Sequence, residues 1–219
     1  MDDIFDVTPS RKLGYDMLKQ KLIEGKDINF SWVLDRAIEH GRVDIVDLLL
    51  ESKKYDVNCE IISGRTALHM ACIHNKIDIV KRLIYCGAII NDVDIFGNTP
   101  LHYAADGACE EILDILFVNG GLVNVQNKNG ETPLARATLS NNIDAIKRLV
   151  SYGCDINMAE KNGWTPVMGA NLDITKILVA AGCDLNLKNK NGHTALSLAI
   201  NSHDTETADF LKQHMKNVD

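Results

Sequence analysis

A repeat period constrains this chain more than any other feature. Gly64, Gly97, Gly130 and Gly163 follow one another at intervals of 33 residues, and Gly192 comes 29 later. Each opens a Gly-x-Thr: "GRTALH", "GNTPLH", "GETPLA", "GWTPVM" and "GHTALS". Thirteen residues after each of the first three glycines an apolar-striped run begins: "IDIVKRLI", "EEILDILF" and "IDAIKRLV". Gly87, Gly120 and Gly153 close these runs, and apolar-Asn pairs then lead to Asn91, Asn124, Asn157 and Asn186. A unit this short cannot bury an apolar face alone, so units repeated at a fixed period must stack.

The residue choices define the unit. Thr at an N-cap accepts a hydrogen bond from a free backbone N–H, and Pro at the first helical position has no N–H to lose. Thr99-Pro100, Thr132-Pro133 and Thr165-Pro166 therefore each start a short helix. Gly after the second helix supplies the left-handed conformation that stops it. Asn-Gly before Thr-Pro suits a tight hairpin tip. Each unit is thus a hairpin finger, a short helix, a turn and a second helix.

With these motifs, "GNTPLHYAADGACEEILDILFVNGGLVNV" resembles an ankyrin repeat, and the pattern runs from about residue 30 to 216. The resemblance implies an all-α repeat solenoid of helix-turn-helix units with β-hairpin fingers. One domain over residues 1–219 is expected, with a capping helix and turn at 9–29 and the helix started by Thr8-Pro9. Repeats are expected at 30–60, 61–93, 94–126, 127–159, 160–188 and 189–216. The first lacks a finger, because Asn29 runs almost directly into a helix near Ser31, and the last is polar on one flank. Terminal units of a stack must present one wet face.

Composition narrows the function. A net charge of −7 argues against nucleic acid, which needs a basic face, and no apolar run approaches a membrane span. "MDDIFDVTPSRKLGYD" is acidic where a secretory signal is basic and then apolar, so the expected setting is intracellular, cytoplasmic or nuclear. Cys59, Cys72, Cys86, Cys109, Cys154 and Cys183 show no metal-ligand spacing and read as reduced, packed thiols. His69 and His102 recur at the fourth position of the Thr motif without a catalytic partner at useful spacing. The family resemblance assigns them hydrogen bonds to the finger and the neighbouring unit. No nucleophile elbow or phosphate loop appears, so an enzyme is not expected and neither is a cofactor.

The resemblance implies a binding module for a protein partner, working as a monomer through finger tips and the inner, concave face of the first helices. Carried onto this sequence, that surface includes Ile62, Ser63, Arg65, Ile73 and His74 in the second repeat. The third offers Ile95, Phe96, Asn98 and Asp106, and the fourth Lys128, Asn129, Glu131, Leu139 and Ser140. The fifth offers Lys161, Asn162 and Trp164, and the sixth Lys190, Asn191 and His193. Ile62, Ile95 and Phe96 are apolar where turn chemistry favours polar residues, which points either to a partner or to packing between fingers. Lys128, Lys161 and Lys190 share one slot in successive units, as a basic rim for an acidic segment or as ordinary solvated lysines. Phe96 and Trp164 stand first as anchors, with Ile62, Ile95 and Arg65 in support. The alternatives are an inhibitor or host-directed effector occluding an enzyme or transcription-factor surface, and a nucleotide stacked on an exposed aromatic. By resemblance, Asn58, Asn157 and Asn186 are candidates for asparaginyl hydroxylation, beside a turn-bonding role.

One repeat departs from the period in its interior. Nine residues separate Pro133 from Ile143, but only five, "VMGAN", separate Pro166 from Leu172. Losing four residues removes about one helical turn, so the apolar stripe of the second helix stays near its register. The expectation is a notch beside Trp164, low local stability, a first helix cut to one turn and weakened by Gly169, and Asn171 capping the second helix.

Overall fold

The computed structural model describes residues 10–25, 28–52, 55–107 and 109–215. The Thr8-Pro9 start expected for the first helix lies outside them. Among the described residues the regular structure is helical, and the chain divides into two compact units, Met1–Ile95 and Phe96–Asp219.

The first unit begins with a lone helix, α1 (Ser10–Ile23), which buries Leu18 and Leu22. Two helix pairs follow: α2 (Phe30–Glu39) with α3 (Val43–Glu51), and α4 (Ala67–Ile73) with α5 (Ile77–Tyr85). Asn29 caps α2 by accepting the Trp32 N–H at 3.0 Å, so this repeat does start without a finger. The second unit contains α6 (Pro100–Asp106) with α7 (Glu110–Val118) and α8 (Pro133–Leu139) with α9 (Ile143–Ser151). A single α10 (Leu172–Ala180) follows, then α11 (Ala195–Asn201) with α12 (Thr205–Met215).

Each second helix buries the same three slots. They are Ile45, Val46 and Leu49 in α3, Ile79, Val80 and Leu83 in α5, and Ile112, Leu113 and Leu116 in α7. In α9 they are Ala145, Ile146 and Leu149, and in α10 Ile174, Thr175 and Leu178. A fully apolar triplet gains roughly 5–9 kcal/mol of transfer free energy, before the entropy cost of ordering the chain. Helices α5, α7, α9 and α10 end in Schellman motifs. At the end of α5 the Ala88 N–H reaches the Leu83 carbonyl and the Gly87 N–H reaches that of Ile84, both at 3.0 Å, with Gly87 at φ 89°.

Fingers meet through their backbones. The Ile95 N–H donates to the Ser63 carbonyl (3.1 Å) in the first unit. In the second, Lys128 donates to Phe96 (2.8 Å), Lys161 to Asn129 (3.0 Å) and Lys190 to Asn162 (2.8 Å). This ladder accounts for the periodic glycine. A Cβ on Gly64, Gly97 or Gly130 would stand 2.7–2.9 Å from the backbone N of the next finger, at a positive φ that side chains rarely adopt. The fingers are tight turns, and the one β-bridge among the described residues pairs Ile62 with Arg65.

The repeated His and Asn residues hold neighbouring repeats together. In the second unit the Thr99 N–H donates to His102 Nδ1 (3.1 Å), which leaves Nε2 as the donor to the Glu131 carbonyl (3.1 Å). His69 Nδ1 likewise accepts the Thr66 N–H at 3.1 Å. Asn58 Oδ1 accepts the Ile89 N–H, Asn124 Oδ1 that of Asp155 and Asn157 Oδ1 that of Asp184. Among the thiols Cys72 and Cys154 are buried as expected, whereas Cys59 is exposed. Burial pushes the Cys154 and Cys183 thiols up to about 11, away from thiolate chemistry.

Candidate partner-binding surface

The first unit offers Ile62 and Ile95, about half exposed, on fingers joined by the Ile95–Ser63 backbone bond. Arg65 lies between them in sequence but turns to the buried Asp94 carboxylate, with Nε 3.4 Å from Oδ2. His74 is half-buried as the C-cap residue of α4. In the second unit Phe96 is half exposed, while Asn98 is drawn into the ladder, donating to Tyr103 Oη (3.3 Å) and accepting from Asn127 Nδ2 (2.8 Å). Lys128, Lys161 and Lys190 are exposed, and it is their backbone N–H groups that build the ladder.

The fifth repeat differs most from its neighbours. Its finger is regular: the Glu160 N–H reaches the Trp164 carbonyl at 2.9 Å and the Gly163 N–H that of Glu160 at 2.8 Å. Beyond Thr165-Pro166 there is a turn in place of a first helix, closed by the Met168 N–H on the Thr165 carbonyl at 2.9 Å. Pro sets the first central residue of such a turn. Gly169 follows at φ 80°, and Asn171 caps α10 by accepting the Ile174 N–H at 3.0 Å. The helix is thus lost altogether, beyond the single turn expected from the sequence. The register of α10 is nonetheless kept, since its buried slots follow those of α9 at a constant offset of 29.

Two buried polar groups are left without partners here. In the fourth repeat the Thr132 hydroxyl accepts the Ala135 N–H (3.2 Å), but the Thr165 hydroxyl, also buried, has none. Asn127 Nδ2 donates to Asn98 in the preceding finger and to Glu131 in its own. The equivalent Asn189 has Trp164 at the preceding position and His193 in its own finger, and its Nδ2 is unpartnered. Orphaned buried groups cost about 1–3 kcal/mol each, so their clustering around one residue calls for an explanation.

That residue is Trp164, 37% exposed, whose ring passes 3.5 Å from where a Cβ on Gly169 would stand. The indole covers part of the gap left by the missing helix, and a cavity lies on each side of it. The larger, about 450 Å³, is bounded by Val167 and Ala170 of the turn, Ala195 and Leu198 of α11, and Leu211 of α12. Asp204 is the charged residue on its wall; hydrogen bonding to Thr207, whose N–H lies 3.0 Å from Oδ1, holds its carboxyl below the usual range. The smaller, about 260 Å³, opens between Trp164 and α8, with Leu139, Pro166 and Met168 as apolar walls and Glu131 and Glu160 as charged ones. Among the described residues no group of three His, Cys, Asp or Glu side chains could hold a metal ion. The sequence singled out Trp164 and placed Glu131 and Leu139 in the carried-over surface, but Glu160, Thr165 and Met168 were missed.

The comparisons agree with this architecture. The family model described as "Ankyrin repeats (3 copies)" matches residues 34–126 and 106–171. Among solved structures, EF0377, an ankyrin repeat protein, is similar at 29% identity and a TM-score of 0.73, over 83% of this chain and 96% of that one. A chain from the complex of the Bd0816 predatory endopeptidase of Bdellovibrio bacteriovorus with immunity protein Bd3460 is similar at 27% identity and a TM-score of 0.73. That match covers 83% of this chain and 97% of the other. A comparison with curated proteins gave no match. With the family model matching more than half of its length, the chain belongs to the ankyrin-repeat family.

Proposed function

We propose that this chain is a non-enzymatic intracellular binding module that docks a protein partner on its fingers and first helices, with Trp164 as the principal anchor. Ankyrin repeats are generally protein-interaction modules. One observation carries the choice of anchor: a partly exposed indole stands between two cavities, where a helix has been given up and two buried polar groups lack partners. A chain under selection for stability alone would restore the helix and pair those groups, so their loss supports a functional role for this place. Large aromatic side chains in such settings dominate binding energy. Phe96 is a second anchor in the same unit, and Ile62 and Ile95 form an apolar contact area on the first.

The test is to isolate the partner from the source cell and titrate it against variants. Trp164→Ala is expected to weaken binding about 30-fold or more, and Phe96→Ala about 5–10-fold. Unchanged affinity with a lowered melting temperature would show that the rings serve packing alone. A second reading, in which the partner is an enzyme that the bound chain occludes, is supported by the likeness to a chain of an endopeptidase–immunity complex. Its check is whether the partner's activity falls as the complex forms.

A further inference from the structure

We infer that the cleft between α8 and Trp164 receives an arginine side chain of the protein partner, a reading that rests on the partner-binding proposal above. Between fingers, the side chain three residues before the glycine reaches the residue after the glycine of the preceding finger. Asp94 meets Arg65 this way, and Asn127 Nδ2 donates to Asn98 Oδ1 at 2.8 Å. Both pairs are complementary. The same register at the next step sets Glu160 against Glu131, two acids, and both line the 260 Å³ cleft.

The internal cation nearby does not balance them. Arg136 Nη2 lies 2.6 Å from Asp106, and its Nη1 only approaches Glu131, at 3.9 Å. One guanidinium is thus divided between Asp106 and Glu131. Glu160 accepts the N–H groups of Asn162 (2.8 Å) and Trp164 (3.1 Å) and the Asn162 amide (3.2 Å). Glu131 accepts Asn127 Nδ2 at 2.8 Å. Ionised carboxylates offer about four acceptor sites each, so both retain capacity. Thr165, whose buried hydroxyl has no partner, lines the same cleft and adds one more acceptor, independent of the acids.

The walls select the kind of cation. Leu139, Pro166 and Met168 suit an aliphatic stem, and an indole attracts a planar guanidinium over its face. Arginine combines that stem with a fork of donors able to reach two carboxylates and a hydroxyl. An acidic or phosphorylated segment would meet two negative charges here.

The probe is the pentapeptide acetyl-Ala-Ala-Arg-Ala-Ala-amide, compared with its citrulline analogue, which keeps size and planarity but lacks charge. It is titrated into the full ¹⁵N-labelled chain, whose two indoles, Trp32 and Trp164, provide a reference signal and a reporter. The arginine peptide should shift the Trp164 indole signal saturably and leave Trp32 still, with the citrulline peptide at least about tenfold weaker. Glu131→Gln and Glu160→Gln should each lower affinity about 3–10-fold, and in Glu160→Gln the amide oxygen can still accept the finger N–H groups. Equal shifts with both peptides would overturn the arginine assignment while leaving Trp164 a protein-binding anchor. A Trp164 signal that neither peptide moves would also overturn it, and the partner reading would then be judged by the Trp164→Ala titration. Affinity indifferent to both Gln variants would contradict the role given to the carboxylates.

Discussion

The fourth and fifth repeats share a finger, a backbone ladder and an Asn-capped second helix with the same three buried slots. They differ in the segment between. The fourth places seven helical residues there, Pro133–Leu139, with the cap hydroxyl of Thr132 bonded and the finger amide of Asn127 doubly satisfied. The fifth places a four-residue turn, an orphaned Thr165 hydroxyl and an indole flanked by cavities. The contrast separates two tasks. Propagating the stack needs only the ladder and the second helix, while the first helix can be traded for a cleft.

The largest effects should fall on what the two repeats share. Gly130→Ala and Gly163→Ala each drive a Cβ to within 2.8–2.9 Å of the next finger's backbone at a positive φ. Each is expected to cost about 3 kcal/mol or more in urea unfolding, since neither neighbour is a flexible side chain. Gly192 has the same φ sign but open space around it, so Gly192→Ala should cost about 1 kcal/mol. A mild Gly163→Ala would mean that the ladder is slack at the fifth repeat.

Next come the caps, where the two repeats should diverge. Thr132→Ala removes a bonded cap and should cost about 1 kcal/mol. Thr165→Val removes a hydroxyl that bonds nothing and should be neutral or slightly stabilising in the same melt. Equal losses at both sites would show that Thr165 caps a helix after all. The smallest effect concerns charge. Glu160→Gln relieves the apposition with Glu131 and should stabilise by about 0.5 kcal/mol at low salt, fading as salt is raised. A variant that gains stability while losing the arginine peptide would show stability and binding opposed at one side chain.

Much of this was legible in the sequence. The glycine period, the Thr caps and the Gly stops each follow from one residue's local chemistry, and so do the position of the missing turn and the Asn171 cap. The facing of Glu160 on Glu131 was not. It depends on which backbone N–H meets which carbonyl between fingers, and that register is a tertiary fact. Arg65 illustrates the same limit: it reads as a free contact residue, but the ladder turns it onto Asp94. The orphaned Thr165 was hidden because Thr-Pro signals a helix start, and only the loss of the helix turns that signal into a tight turn.

The most direct measurement restores what the fifth repeat lacks. Replacing Val167–Asn171 by the nine residues of Leu134–Asn142 would rebuild a regular first helix, bond the Thr165 hydroxyl and fill the cavities beside Trp164. The chimera should gain helical circular dichroism and about 1–2 kcal/mol, which for a chain of this size is roughly 3–6 °C in Tm. It should also lose affinity for the partner. A chimera that is more stable and still binds as the parent does would contradict the claim that the missing turn serves recognition.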